Sequence, residues 1–196
     1  MAETDVTRPT RPPRHSRLTQ GYLMMLPDDL PADLETAISN VLAVYCRGVD
    51  RRDWDLVREA FHVDAIDDHG VFVGSVDEMI EWMQDRHQDI TSSLHVLGQS
   101  YRRRLSSDLV VAETYCVAYQ THRSADPGSE PVQVQVRCRY LDQVVRRDGR
   151  WRIARRTVVF ESQLQETGLP VPDGTGGTRD LTDPSYTLLE TGAVER

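Results

Sequence analysis

The chain contains no lysine: each of its 23 basic residues is arginine. That absence excludes a lysine Schiff base, the lysine of a phosphate-binding loop and the lysine–glutamate pair of protein kinases. It also fits the codon bias of a GC-rich genome. Positive charge as a whole is outnumbered, since 31 acidic residues bring the formal net charge to −8. This speaks against nucleic acid as a partner, which calls for a basic face. Cysteine is scarce as well. Cys46, Cys116 and Cys138 are odd in number, far apart and set in apolar stretches. They suit buried, reduced thiols in a cytoplasmic protein better than a disulfide framework or a zinc site. Long apolar runs are missing too: Tyr22–Leu26 and Val41–Cys46 are too short for a membrane span. Met1–Arg17 is polar, with arginines among prolines, and lacks the apolar core of a secretory signal.

What remains, at 39% apolar and 28% charged residues, is ordinary for a globular protein. The length predicts one domain with tails. Residues 1–30 read as a flexible, proline-rich arm carrying the patch Tyr22–Leu26. Leu34, Ile38, Val41, Leu42, Tyr45 and Val49 recur at helical spacing, with Asp33 as a candidate N-cap. A shorter helix over 53–61 follows, then a hairpin over 65–74. A third helix over 75–90 is opened by the capping-box pattern Ser75-x-x-Glu78. The period then changes. Segments 93–105, 109–122, 132–145 and 151–160 favour strands, and turn residues around Pro127-Gly128 and Asp148-Gly149 separate the last three. After 162 the chain is rich in Gly, Pro, Thr and Asp, which predicts a C-terminal arm, lid or disordered tail over 163–196. Helices followed by consecutive antiparallel strands define an α+β fold, a bent sheet covered on one side by helices.

Three segments carry a resemblance. Tyr45-Cys46-Arg47-Gly48-Val49-Asp50-Arg51-Arg52-Asp53-Trp54 ends the first helix, and Ser93-Leu94-His95-Val96-Leu97-Gly98 opens the first long strand. Tyr140-Leu141-Asp142 precedes Arg146-Arg147-Asp148-Gly149-Arg150-Trp151-Arg152-Ile153. In this order they resemble the SnoaL-like, scytalone-dehydratase-like branch of the nuclear transport factor 2 superfamily, over about residues 31–162. The resemblance implies a cone-shaped fold whose mouth holds a small hydrophobic molecule, and an acid–base pair at Asp50 and His95. It further implies roles for Tyr45 and for an arginine past the strand tryptophan, Arg156 or, in the other register, Arg155. Where the bile-acid dehydratase of that branch has another carboxylate on the next strand, this chain offers Tyr115 and Tyr119.

On these grounds Asp50, His95, Tyr45 and Arg156 are the candidate catalytic residues. Trp54, Trp82, Gln99, Tyr115, Tyr119 and Phe160 are the candidate substrate contacts. A carboxylate in the last turn of a helix opposes the macrodipole, so Asp50 needs another reason to be there. Oriented by that carboxylate through Nδ1, His95 would present Nε2 as a base. Neither a metal nor a cofactor is required. His62, His69 and His87 lie near acidic residues but lack metal-ligand spacing. The expected activity is a dehydratase or isomerase acting on a small cyclic molecule of polyketide, steroid or aromatic type, in a cytoplasmic homodimer or homotrimer. The alternatives are a non-catalytic binding member of the superfamily and the small subunit of an aromatic-ring-hydroxylating dioxygenase.

Overall fold

The computed structural model describes residues 30–192 apart from 125, 127 and 168–175. The patch Tyr22–Leu26 and nearly all of the N-terminal arm lie outside the described residues.

The apolar stripe read from the sequence builds α1 (Ala32–Arg51), whose Leu34, Ile38, Val41, Tyr45 and Val49 are buried. Pro31 rather than Asp33 holds the N-cap position, and Asp33 sits in the first turn, where its charge faces the positive helix end. At the other end Arg52 adopts φ 55°, and its N–H bonds to the carbonyls of Gly48 and Val49. This sharp exit leads straight into α2 (Trp54–Glu59), N-capped by Asp53, whose side chain accepts from Leu56 N at 3.0 Å. The two helices meet so closely that a Cβ on Gly48 would stand 2.7 Å from Val57 Cγ2. Only glycine fits this corner.

β1 (Phe61–Asp68) and the short β2 (Val73–Ser75) pair as a hairpin, and α3 (Val76–Arg86) follows. Ser75 and Glu78 form the expected capping box. The helix stops short of the expected 90 because His87 C-caps it and Ile90 already begins the next strand. Four long strands complete the sheet: β3 (Ile90–Ser106), β4 (Leu109–His122), β5 (Val132–Arg147) and β6 (Arg150–Thr167). Their spatial order is β2-β1-β6-β5-β4-β3, with β1 parallel to β6 and every other pair antiparallel. The sheet is curved and open, and α1 and α3 cover its inner face. The β5–β6 turn places Asp148 and Gly149 at φ 51° and 75°, the doubly left-handed geometry that an Asp-Gly pair favours.

β6 runs five residues past the expected domain edge. Residues 176–192 then return to the outside of the α1–α2 corner and end in α4 (Pro184–Thr191). Tyr186 packs under the Arg47 guanidinium at 4.7 Å, Arg51 pairs with Asp183 at 3.2 Å, and the Tyr186 hydroxyl reaches Asp53 at 3.3 Å.

Candidate active site

Asp50 and His95 meet. The last turn of α1 directs the Asp50 carboxylate at the start of β3, where it accepts three hydrogen bonds. One comes from His95 Nδ1 at 2.6 Å, one from the His95 backbone N–H at 2.9 Å and one from Ser93 Oγ at 2.7 Å. Burial works against the Asp50 charge, but the His95 ring, its positive form and these donors hold the carboxyl below its ordinary value. Burial equally opposes a charged His95, yet the Asp50 hydrogen bond and charge raise the imidazole above the ordinary 6.5. The unfavourable position at a helix C-terminus is offset from behind. Arg179, buried, donates to the backbone carbonyls of Asp50 (3.0 Å), Val49 (2.9 Å) and Ile90 (3.0 Å). Its Nη2 also donates to His87 Nδ1 at 3.1 Å. Burial and the neighbouring Arg179 push His87 down to about 3, so this histidine is neutral.

A cavity of about 90 Å³ opens in front of His95, between α1, α3 and the inner face of the sheet. Tyr45, His95, Cys138 and Tyr140 form its depths, while His69, Trp82, Met83, Arg86, His87 and Phe160 also line it. Tyr45 is edge-on to His95 at 6.4 Å and to Tyr140 at 5.8 Å. Burial keeps its phenol far above the usual range despite the positive charge of Arg156, so it stays a neutral hydroxyl with a proton to donate in a hydrogen bond. A larger hollow of about 610 Å³ lies on the opposite, outward face of the sheet, bounded by Tyr101, Arg103, Leu141 and Arg155. It is remote from every histidine of the pocket, so we place no chemistry there.

Several sequence expectations are corrected. Arg156 does not line the cavity. It is wholly buried, and its guanidinium makes a two-point ion pair with Asp142 at 2.7 and 2.9 Å. It lies between the rings of Tyr45 and Tyr140, 4.2 and 4.1 Å from their centroids. Its charge is thus spent on Asp142 and on supporting two cavity tyrosines. Arg155, the other register, faces outward. Trp82 and Phe160 do line the cavity, but Trp54, Gln99, Tyr115 and Tyr119 do not. Trp54 stands behind His87, ring centres 6.0 Å apart, in the groove occupied by Arg179 and Tyr186. On β4 the inward positions are Cys116, Ala118 and Gln120, so Tyr115 and Tyr119 fall on the outer face by strand alternation. Gln99 follows His95 by an even number of residues, yet a bulge between Leu97 and Ser100 reverses the alternation before it can share the face.

The sequence reading weighed His69 and its acidic neighbours only as a metal site. Asp67 and His69, two apart and therefore on one face of β1 and its turn, are hydrogen-bonded through Oδ1 and Nδ1. The Asp-x-His spacing on a strand was the available signal. No comparable signal pointed to Arg179, which lies 129 residues from the helix end it caps.

The fold is thus an α+β cone with a hydrogen-bonded Asp–His pair at the wall of an inner pocket. The particular family follows from the sequence itself. The SnoaL-like domain profile matches residues 31–157, and the chain belongs to that family, within the nuclear transport factor 2-like superfamily. Among solved structures, the chain resembles a hexachlorocyclohexane dehydrochlorinase, LinA type 2, with a TM-score of 0.64 at 15% identity over 73% of this chain and 96% of that one. LinA-type3 from Novosphingobium barchaimii LL02 gives 0.63 at 15% identity, over 71% and 95%. ActVI-ORFA from Streptomyces coelicolor gives 0.55 at 19%, over 66% and 98%. These likenesses establish the shared fold. A comparison with proteins of curated function finds no match.

Proposed function

We propose that the chain is a lyase or isomerase working without a cofactor, and that its reaction is dehydration of a small cyclic hydroxycarbonyl compound. The observation that carries this reading is the 2.6 Å bond between Asp50 and His95 at the wall of a small inner pocket. With Nδ1 committed to the carboxylate, Nε2 of His95 is the free nitrogen and can take a proton from carbon next to a carbonyl. Asp50 fixes the ring and balances the imidazolium that forms. Tyr45, held protonated, donates to the substrate carbonyl and stabilises the developing enolate. Arg156 acts at one remove, by holding Tyr45 and Tyr140 in place. The LinA neighbours are dehydrochlorinases, whose reaction is also an elimination, which supports the class of reaction. At about 90 Å³ the cavity favours the smallest ring compounds over larger skeletons. A cavity of roughly 150 Å³ holds a benzene, so one ring already needs the pocket to widen, and a fused four-ring skeleton far more. The protein is further proposed to work as a homo-oligomer.

The test is turnover of monocyclic hydroxyketones, read as enone absorbance, by wild type, Asp50→Asn and His95→Ala. Loss in both variants is expected. Equal rates in all three would leave only a binding role for the pocket.

A further inference from the structure

We propose that His69, paired with Asp67, is a second catalytic residue of this pocket: the acid that protonates the departing hydroxyl. This rests on the proposed elimination and assigns a step that the Asp50–His95 pair alone leaves open.

The geometry is that of a second built pair. Asp67 is completely buried and its Oδ1 bonds to His69 Nδ1. That leaves Nε2 of His69 free, on a residue that lines the same cavity as His95. The ring is held between Trp82, centroids 5.3 Å apart, and Phe160, at 6.4 Å. The turn fixes it further: the His69 N–H donates to Phe72 O at 2.8 Å, and Gly70 adopts φ 74°. His95 lines the same cavity from β3, beside Tyr45 and four strands along the sheet from β1. One histidine thus belongs to the α1–β3 wall and the other to the β1–α3 wall.

Across β1, β6 and β5 the register sets Asp67, Arg156 and Asp142 in one row. Arg156 gives its paired donors to Asp142, while its Nη1 and the Asp67 Oδ2 have no hydrogen-bond partner. The paired donors of that guanidinium go to Asp142, and the hydrogen bond of the buried Asp67 goes to His69. The charged and titratable groups around the ring are Asp67 on β1 and Arg86 and His87 at the end of α3, with His95 lining the same cavity.

The step balances as follows. His95 Nε2 takes the proton on the carbon beside the carbonyl, and the C–H electron pair becomes the new carbon–carbon double bond by way of the enolate. The C–O bond breaks with its pair on oxygen, and that oxygen takes the proton from His69 Nε2. Water leaves, and solvent returns the proton from His95 to His69.

3-Hydroxycyclohexanone in D2O separates the two roles by NMR, because exchange of the proton beside the carbonyl needs only the base, whereas enone formation needs the acid as well. Wild type should do both and His95→Ala neither. His69→Gln should keep exchange within about threefold and lose enone formation by about 100-fold or more. Equal loss of exchange and elimination in His69→Gln, or loss of neither, overturns the assignment. If wild type itself neither exchanges nor eliminates, the underlying elimination reading fails instead. Should His69→Gln not fold, 15N-histidine NMR of the wild type with phenol as probe decides. Both Nε2 resonances, of His69 and of His95, must move on binding, and movement of His95 alone overturns the proposal.

Discussion

Asp50→Asn removes one negative charge from the cavity wall at almost constant volume. In the native site both carboxylate oxygens accept, from Ser93 Oγ at 2.7 Å, His95 N at 2.9 Å and His95 Nδ1 at 2.6 Å. Asparagine has one acceptor oxygen, so its amide group must face at least one of these donors and a buried bond is lost. A hydrogen bond to a charged group contributes ~1.5–3 kcal/mol, which at about 1.4 kcal/mol per pKa unit lowers His95 by ~1–2 units. His95 starts above 6.5. Its neutral form is the base, so wild-type kcat/KM should rise as pH climbs through that raised value. In the variant the rise should move to lower pH and level off about 100-fold lower or more. The linked stability has a defined sign. The raised His95 stabilises the fold fully below 6.5 and loses that contribution as pH rises through its folded value. The depressed Asp50 stabilises above 3.8 and loses its share as pH falls through its folded value. The assay is a 15N-histidine NMR titration of both proteins beside their pH–rate profiles. An unchanged His95 titration in Asp50→Asn would refute the argument, whatever happens to the rate.

Arg179→Ala strips four hydrogen bonds from the back of the Asp50 turn and should lower stability by about 2–4 kcal/mol in urea denaturation. An unshifted midpoint would mean that residues 176–192 do not hold that corner in solution. Arg156→Met leaves Asp142 charged, buried and alone, at a cost of ~3–5 kcal/mol, whereas Arg156→Met with Asp142→Leu should recover much of it; calorimetry of the three proteins checks the order. The outer face of the sheet exposes Leu94, Val96, Tyr115 and Leu141. If the proposed oligomer forms there, Val96→Arg should reduce the sedimenting mass to that of a single chain, and an unaltered mass would place the contact elsewhere.

Much of this architecture was readable from local chemistry. The 3.6-residue stripe of α1, the Ser75–Glu78 box and the Asp148-Gly149 turn are each decided by residues within a few positions of one another, so their elements follow from the sequence with small errors at the ends. The residue types of the Asp50–His95 pair were legible too, through motif order, since helix end and first long strand occur in a fixed sequence along the chain. Parity errors explain the misplaced contacts. A single bulge residue in β3 reverses which side chains face inward, and the alternation of β4 turns Tyr115 and Tyr119 outward, while composition reads the same on either face.

The sequence by itself therefore determined the elements, their order, the lack of lysine chemistry and the two residues that meet at the cavity wall. Only the tertiary structure decided which charges face the pocket. Arg156 looked like a free cation and is consumed by Asp142 and two tyrosine rings, because neighbouring strands pair residues 14 apart. His69 read only as a histidine near acidic residues without metal-ligand spacing, and it lines the same cavity as His95, because the β1–β2 hairpin packs against α3. Arg179 lay in an apparently unstructured tail and caps the helix that carries Asp50. Each of these depends on contacts between distant segments, whose partners are set by packing and register and leave no local trace in the chain.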